Sequence, residues 1–376
     1  MRVVCSLVLL IVLVLLPLSC NTAGSSNDVV IVGDTLELRY ASLLRMVECD
    51  GYTLVDVQNP WNSTLMNRYL LVPKDSQLPE RLPKGTLLRT PLDRLLVFST
   101  VHTELLGSLG RISAVAGVCD AQYITQSDVR EGLRNGTIKD CGSTLNINTE
   151  HVVQLSPEAV WVLPHENGGY GKLDKLALPL VECVEYMEAS PLAGAEWVRF
   201  YGRLMGCAAV ADSLFDVVEA NYVSLCDSIR QCNYRPTLMC ELKSNSAWYL
   251  PSGGSTMGCL YRDAGADYLF ADNAGRGSLP LAFETVLERA ASADLWLVKY
   301  NSNTDKTYNS LQSEFDGYRH FRPFRERNIY ACNLGRKRFY EETPFRPDIL
   351  LRELAAIFHP EMFPGYRMRY YEKMHE

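Results

Sequence analysis

The chain has 376 residues, of which 47% are hydrophobic and 22% are charged, and its formal net charge is -7 at pH 7. This composition supports a sizeable folded core and excludes a disordered chain. The acidic balance gives no general attraction to nucleic acid or to anionic lipid. A chain of this length usually divides its core between two or more domains, and we expect two.

The N-terminus has the pattern of an export signal. A positive start at Arg2 precedes an apolar run over 3–18, which Ser19 and Cys20 follow directly. The run of about sixteen residues is at the short edge of the ~17–25 that a membrane-spanning helix needs. The small residue before Cys20 resembles the bacterial lipobox, in which the cysteine carries the lipid. We predict a lipoprotein signal peptide over 1–20 and a protein anchored through Cys20; the alternative is an ordinary cleaved signal.

Ten of the twelve cysteines lie beyond Cys5 and Cys20. In an exported protein they allow one or two disulfides, whose connectivity the sequence leaves open. They show no CxxC spacing, which argues against a structural zinc or iron–sulfur site. Cys240 and Cys332 lie inside apolar, strand-like runs and are interpreted as small buried hydrophobic residues.

Residues 29–190 alternate short apolar strands with helical stretches. Strands are predicted at 95–100, within 112–120 and at 159–164, and a helix is predicted over 102–109. Strand, helix and strand at this spacing imply parallel βαβ units. We therefore predict an N-terminal α/β lobe.

Residues 191–230 interrupt this alternation. Apolar side chains recur there at spacings that are consistent with one or two helical faces, and no strand alternation is visible. A single helix of about 30 residues would span about 45 Å, enough to cross both lobes. We predict that this segment is a linker helix.

The α/β alternation returns over 231–345, which we interpret as a C-terminal α/β lobe. Its predicted elements are the strands TLMCEL, DYLFAD, ADLWLVKY and IYACNL and the helices MGCLYRDAG and 283–291. An amphipathic helix over 347–359 falls within a C-terminal helical tail, 346–376. The predicted fold class is α/β, with two Rossmann-like lobes joined by one long helix.

Ligands of open parallel sheets bind beyond the carboxyl ends of the strands, so the loops there supply the candidate site. Their polar and aromatic residues suit a large, planar or ring-bearing ligand better than a free ion. The candidate ligand-binding residues are His102, Asp120, Tyr123, His165 and Tyr170 in the first lobe and Trp248, Tyr249, Arg276 and Tyr300 in the second.

Structural roles are the alternative for these candidates. His102 could cap the helix that it opens, and His165 could be an exposed residue of a flexible loop. Trp248 and Tyr249 could pack at the rim of the site. Arg276, between two glycines, could be a solvated charge or a clamp for an anion.

Catalytic motifs are weak in this sequence. It contains no GxSxG, HExxH or GxxxxGK[ST] pattern, and the glycines at 275 and 277 begin a GxGxxG pattern that has Pro280 in place of its last glycine. Ser, His and Asp residues occur, but nothing orders them into a triad. We predict that the protein is not an enzyme and needs no cofactor and no metal of its own.

Four segments carry a family resemblance: VFSTVHTELLGSLG with AVAGVCD, NTEHVVQLSPEAVWVLP, SPLAGAEWVRFYGRLMG, and SLPLAFETVLERAASADLWLV. The chain that follows the signal resembles the substrate-binding proteins of ABC importers for iron–siderophore, haem and cobalamin. This resemblance implies a class III periplasmic binding protein fold, in which one rigid helix joins two α/β lobes. It also implies a metal chelate as ligand, a permease and an ATPase as partners, and a location at the periplasmic face of the membrane.

In this family one glutamate of each lobe docks onto arginines of the permease. The resemblance places these glutamates at Glu150, in NTEHVV, and at Glu284, in AFETVL. Each would also satisfy the dipole of the helix that it begins, worth ~0.3–1 kcal/mol, and both roles are compatible. The sequence does not choose among the chelates. The alternative function is an exported, chelatase-like enzyme that acts on a metal-tetrapyrrole, with His102 or His165 on the metal.

Overall fold

A computed structural model describes residues 31–376. The predicted signal peptide over 1–20 and the predicted lipid attachment site, Cys20, lie outside the described residues. Within 31–376, no helix combines the length and the apolar character that crossing a membrane requires.

A five-stranded sheet that the sequence analysis did not predict begins the described chain. Its strands lie in the order β1-β2-β3-β4-β5, antiparallel except for the parallel pair β4 and β5. An Asp50-Gly51 turn joins β2 to β3, and Gly51 has a φ of +78°, which glycine adopts without steric cost. The strands are β1 Gly33–Leu36, β2 Leu44–Cys49, β3 Tyr52–Gln58, β4 Leu65–Pro73 and β5 Thr86–Thr90.

The N-terminal α/β lobe contains the parallel sheet that its alternating pattern predicts. Its elements are β6 Leu95–Val97, α1 Thr100–Ser108, β7 Val115–Val118, α2 Ser127–Asn135, β8 Lys139–Asp140, β9 Gly142–Ser143, β10 Asn146–Ile147, α3 Thr149–Leu155, β11 Ala159–Val162 and β12 Leu180–Glu182. The sheet order is β12-β11-β6-β7-β8, and all neighbours are parallel. Strands β9 and β10 form a separate hairpin.

The predicted single helix over 191–230 is three helices: α4 Pro191–Glu196, α5 Val198–Leu204 and α6 Ala208–Ile229. The break between α5 and α6 falls at Gly206, whose φ of +67° is not helical. A Cβ atom at Gly206 would also lie 2.9 Å from Cβ of Pro91, so the chain passes too close for a side chain. Helix α6, with 22 residues, is about 33 Å long and remains the long element of the linker.

The C-terminal lobe repeats the α/β arrangement. Its elements are β13 Thr237–Cys240, β14 Lys243–Ser244, β15 Ala247–Pro251, α7 Thr256–Asp263, β16 Asp267–Tyr268, β17 Ser278–Leu281, α8 Phe283–Ala290, β18 Leu295–Tyr300, α9 Tyr308–Glu314, α10 Arg322–Arg325, β19 Ile329–Asn333, α11 Phe339–Glu342, α12 Pro347–Phe358 and β20 Glu372–Lys373. The main sheet has the order β16-β13-β18-β19-β20, and β14, β15 and β17 form a small second sheet.

The C-terminal segment belongs to this lobe and is not a separate helical tail. Strand β20 pairs antiparallel with β19 and so extends the main sheet. Glu353 of α12 is fully buried, and its carboxylate accepts hydrogen bonds from the backbone N–H groups of 369–371 at 2.6–2.8 Å. These bonds fix the chain where it returns towards β20.

Two buried carboxylates fasten the first sheet to the linker. Glu196 of α4 accepts hydrogen bonds from the backbone N–H groups of 39–41 at 2.8–2.9 Å. Glu188, just before α4, accepts from the N–H groups of 42–43 at 2.9–3.1 Å. Because these carboxylates have almost no solvent access, backbone hydrogen bonding replaces their hydration. The connection after β1 is therefore held firmly against the linker.

All ten cysteines within the described residues are free. Cys240 and Cys332 are fully buried in β13 and β19, as their apolar surroundings predict. The disulfides that the cysteine count allowed are therefore not formed within 31–376.

Candidate functional site

An apolar cavity of about 440 Å³ opens at the carboxyl ends of β6, β11 and β12. Leu163 and His165 follow β11, and Glu185 and Tyr186 follow β12. Ser99 caps the N-terminus of α1 at the same edge and accepts a hydrogen bond from the N–H of Val101 at 3.2 Å. The position agrees with the rule that ligands of parallel sheets bind beyond the strand ends.

The opposite wall of the apolar cavity comes from the C-terminal half of the chain. Helix α7 contributes Met257 and Leu260, and α11 contributes Phe339 and Tyr340. The start of α12 closes the cavity with Pro347 and Leu350. The cavity is thus a cleft between the two lobes, and its volume is within the ~300–1,000 Å³ of small-molecule sites.

A second, more polar cavity of about 410 Å³ adjoins the first. The two share Thr256, Met257 and Tyr340, so they form one continuous cleft. The polar cavity is lined by two basic side chains and one carboxylate, together with neutral residues. These three charged residues are Arg276, Lys299 and Glu241.

A buried ion pair lies at the polar cavity. Lys299 is buried and pairs with Glu241. Burial alone would lower the pKa of Lys299, but the Glu241 carboxylate, together with Tyr371, Tyr340 and Cys240, outweighs that effect and raises the pKa well above its usual value. Arg276 extends from an exposed loop at the cavity wall. The polar cavity therefore carries an excess of positive charge.

A hydrogen-bonded cluster lies beneath the apolar cavity. Glu185 Oε1 lies 2.8 Å from His102 Nε2, and Glu185 Oε2 accepts a hydrogen bond from the Tyr201 hydroxyl at 2.7 Å. Burial acts to raise the pKa of Glu185, but His102 and the Tyr201 hydroxyl outweigh it and lower that pKa. The His102 ring is only 1% exposed and packs edge-on against Trp161. Glu185 lines the apolar cavity, whereas His102 does not.

Three of the nine predicted ligand-binding residues line the cleft. His165 lies at the apolar cavity, and Tyr249 and Arg276 lie at the polar cavity. His165 follows the parallel strand β11, as the rule for strand ends predicts, whereas Tyr249 lies within β15 and Arg276 lies in the loop before β17.

Trp248 does not lie in the cleft, and this prediction is wrong. Strand β15 alternates inward and outward side chains, so Trp248 points into the core while Tyr249 is exposed. The indole Nε1 of Trp248 donates to the carbonyl oxygen of Cys240 at 3.1 Å. Tyr300 also has a structural role, because its buried hydroxyl accepts from the N–H of Lys306 at 2.9 Å.

The remaining candidates of the first lobe also lie outside the two cavities. The Asp120 carboxylate accepts hydrogen bonds from the N–H and hydroxyl of Thr144 at 3.0 and 2.9 Å and so holds the β9–β10 hairpin. Tyr123 is 61% exposed on the loop after β7. Tyr170 packs against the core of the first lobe, where burial raises the pKa of its hydroxyl.

Several lining residues escaped the sequence analysis. Phe339 and Tyr340 follow the last parallel strand, and nothing in their local sequence shows that α11 folds back onto α1. Lys299 carried a detectable signal, because a charged residue inside the apolar run ADLWLVKY needs a partner when buried. That partner, Glu241, follows β13.

Glu150 and Glu284 occupy matching positions in the two lobes. Each lies in the first turn of its helix, α3 or α8, and each is exposed. The Asn148 side chain caps α3 by accepting hydrogen bonds from the N–H groups of Glu150 and His151. Both carboxylates are available for contact with another molecule.

Two α/β lobes with a cleft between them define a solute-binding architecture. A sequence model of the periplasmic binding proteins matches residues 98–333, more than half of the chain. The chain therefore belongs to the periplasmic binding protein family, and its fold is the class III fold of that family. The first sheet and the segment from 334 onward, including α11 and α12, lie outside the matched range.

An uncharacterized lipoprotein of Methanocaldococcus jannaschii is 25% identical over 362 residues, which cover 89% of this chain and 85% of the relative. The periplasmic heme binding protein of Pseudomonas aeruginosa matches the structure with a TM-score of 0.57 and 14% identity, over 76% of this chain and 99% of that one. The periplasmic vitamin B12 binding protein BtuF of Vibrio cholerae matches with a TM-score of 0.54 and 12% identity, over 73% and 99%.

Proposed function

We propose that the protein is the lipid-anchored substrate-binding component of an ABC importer. It captures an iron chelate (a siderophore complex or haem) or cobalamin between its lobes and delivers it to the permease. The observation that carries this proposal is the cleft itself, in which an apolar cavity adjoins a cavity with excess positive charge.

The chemistry of the cleft supports a ligand with two unlike faces. Leu163, Met257, Leu260 and Phe339 offer a surface for a flat or ring-bearing apolar group. Arg276 offers a planar, permanently charged donor for an anionic substituent of the ligand. A haem-like tetrapyrrole has both features. The solved structures that bind heme and vitamin B12 share this fold and support the same ligand class for this chain.

The partners and the location follow from the same proposal. Glu150 and Glu284 would contact the permease, one from each lobe, because both are exposed in first helical turns. Export and anchoring through Cys20 are supported by the apolar N-terminal run and by the lipoprotein relative. Energy for uptake would come from the ATPase subunit and not from this chain.

Binding is favoured over the chelatase-like alternative by the position of His102. Its ring is buried and its Nε2 is hydrogen-bonded to Glu185, so it does not reach a metal held in the cavity. His165 alone remains at the cavity as an imidazole. The His165 ring is exposed and makes no hydrogen bond to an acid or base within residues 31–376, which favours ligand contact over catalysis.

Filling the apolar cavity tests this proposal. Leu163→Trp places an indole in the cavity, and Leu145→Trp introduces the same residue on the β9–β10 turn, where Leu145 is 97% exposed. Calorimetric titration with haemin, cobalamin and ferric siderophores should show one ligand that binds the wild type and Leu145→Trp equally. Leu163→Trp should bind it at least tenfold more weakly. Equal binding by both variants would place the ligand elsewhere and contradict the proposal.

A further inference from the structure

Three metal-ligating side chains converge beneath the apolar cavity, in what we call the buried triad: His102, Cys183 and Glu185. One ligand atom from each, an imidazole nitrogen, the Cys183 Sγ and a Glu185 oxygen, all lie within 4.8 Å of one another. This spacing is close to that of ligand atoms around a single bound cation. The fold brings these three residues together, although the sequence shows no CxxC spacing that would indicate a metal site.

The buried triad is shielded from water and its backbone is fixed. The three residues are between 0% and 5% exposed. The N–H of Cys183 donates to the carbonyl oxygen of Val162 at 2.9 Å, and a 3₁₀ turn begins at Glu185. His102 lies in the first turn of α1. The ligand atoms are therefore held in place by the sheet and by two helical turns, as a preorganised metal site requires.

Two potential ligand atoms of the buried triad lack a strong hydrogen bond. Nδ1 of His102 is buried with no hydrogen-bond partner among residues 31–376, so Nε2 makes the ring's polar contact, to Glu185. The Cys183 thiol makes a weak contact with the carbonyl oxygen of Val181 at 3.5 Å, and the Tyr201 hydroxyl lies beside it. The Tyr201 hydroxyl, on Glu185 at 2.7 Å, offers a further oxygen beside the triad.

The ligand types select the class of cation. A thiolate and an imidazole suit zinc, with a carboxylate as third ligand, whereas magnesium and calcium prefer oxygen ligands alone. A thiolate and a carboxylate together offset the charge of a divalent cation, so the occupied site would be neutral in its buried surroundings. Glu185 also lines the apolar cavity, which gives the cation a path from solvent.

We propose that the buried triad binds one zinc-class divalent cation. Binding forms bonds from the metal to one ring nitrogen of His102, to Cys183 Sγ and to a Glu185 oxygen. The thiol proton of Cys183 leaves to solvent, and the imidazole binds as a neutral ligand that keeps its proton on the other ring nitrogen. The bound cation would tie α1 to the segment after β12 and stiffen the floor of the cleft. This site is separate from the chelate ligand of the proposed function.

Cobalt(II) is the probe for this site, because a thiolate ligand gives it an intense charge-transfer absorption. The chelator-treated chain should show this band, saturating at one equivalent of Co²⁺. Cys183→Ser should abolish the band. Cys141→Ser removes another buried thiol of the same lobe and should leave the band unchanged. Absence of a saturable band in the wild type, or its persistence in Cys183→Ser, overturns the proposal.

A second measurement covers the case in which Cys183→Ser fails to fold. X-ray absorption of the zinc-loaded wild type should show one sulfur at about 2.3 Å together with nitrogen and oxygen ligands at about 2.0–2.2 Å. A shell of nitrogen and oxygen alone contradicts the proposal. Neither experiment involves the cleft ligand, so failure here leaves the proposed transport function standing.

Discussion

Arg338, ahead of α11, forms an ion pair with Glu104 on α1 and so links the C-terminal lobe to the N-terminal lobe. A second contact lies nearby, where the Thr125 hydroxyl donates to Glu341 at 3.1 Å. Because α11 also contributes Phe339 and Tyr340 to the cleft, the same short helix forms a cleft wall and bridges the lobes. Any change in the separation of the lobes must strain these contacts.

Loss of this bridge is expected to loosen α11. The Arg338 and Glu104 side chains are partly exposed, so after allowance for solvent screening the pair contributes about 0.5 kcal/mol. Arg338→Ala should therefore raise hydrogen exchange of the amides of 339–342 about twofold. Arg319→Ala is the control, because its ion pair with Asp316 lies within a single helical turn. The charge swap Glu104→Arg with Arg338→Glu should restore protection. If it does not, the ion pair does not hold α11 in place.

The Glu353 carboxylate is expected to be essential for the C-terminal turn. Glu353→Ala leaves the three N–H groups of 369–371 without their acceptor, and those of Tyr370 and Tyr371 are buried. At ~1–3 kcal/mol for each buried, unsatisfied group, the free energy of unfolding should fall by about 2 kcal/mol or more. Arg352→Ala, at an exposed position of the same helix, should change it by less than about 0.5 kcal/mol. Chemical denaturation measures both, and equal effects would show that the Glu353 hydrogen bonds contribute little.

The α/β elements were predictable because short, buried parallel strands appear as compact apolar runs. LLVFST, AVWVLP, ADLWLVKY and IYACNL contain β6, β11, β18 and β19 within a few residues. The first sheet also carried a signal, since Asp50-Gly51 between alternating apolar residues indicates a hairpin. The single long linker helix was wrong because Gly206, a position for a left-handed backbone, interrupts it.

Only those residues of the candidate site that follow a parallel strand could be predicted from the sequence. His165 lies near the end of a parallel strand, and the general rule for such sheets placed it correctly. Alternation in β15 would have placed Trp248 inside and Tyr249 outside, had that segment been recognised as a strand. The wall formed by α11 depends on contacts between residues more than two hundred positions apart, such as Arg338 and Glu104. No local pattern encodes such a contact.

Acidification is expected to destabilise the fold through His359. This residue is fully buried, neither ring nitrogen has a hydrogen-bond partner within 31–376, and the Glu361 carboxylate lies 3.9 Å from Nδ1. Burial outweighs that carboxylate and lowers the pKa of His359. The unfolded chain then takes up a proton more readily than the folded chain. The contribution of His359 to the free energy of unfolding is complete above the ordinary histidine pKa of about 6.5. It is lost as the pH falls towards the lower pKa of the folded state, by up to about 1.4 kcal/mol per pH unit.

Two substitutions test whether His359, and not another histidine, causes this pH dependence. In His359→Gln, the decline of the free energy of unfolding between neutral and mildly acidic pH should flatten. His320→Gln, at an exposed position, should keep the wild-type slope. Denaturation curves at a series of pH values give the free energy of unfolding for each variant. If its slope against pH is unchanged in His359→Gln, this residue does not cause the acid destabilisation.

Arg276 is expected to distinguish anionic from neutral ligands. Arg276→Ala should weaken binding of a carboxylate-bearing chelate such as haemin by about two- to fivefold, the range of a partly exposed charge contact. Binding of a ligand without anionic groups should be unaffected. Arg130→Ala, at an exposed position on α2, is the control for the loss of one positive charge. If both variants bind the anionic ligand equally weakly, the loss of binding is due to the change in net charge and not to a contact with Arg276.

Charge reversal at the two docking glutamates is expected to abolish uptake while leaving ligand binding intact. In reconstituted vesicles that contain the permease and the ATPase, Glu150→Arg with Glu284→Arg should transport at background level. Glu288→Arg reverses an exposed charge one turn further along α8 and should transport normally. Normal transport by the double variant would show that the permease contacts another surface.

The central claim is that the cleft binds a metal chelate. Quenching of tryptophan fluorescence in the chain from Asn21 onward, titrated with haemin, cobalamin and a panel of ferric siderophores, tests it most directly. Trp161 lies below the apolar cavity, with its ring 5.5 Å from that of His102, so a bound chromophore should quench it. We predict saturable quenching by one ligand at submicromolar concentration and one-to-one stoichiometry. No saturable response to any of these ligands would contradict the claim.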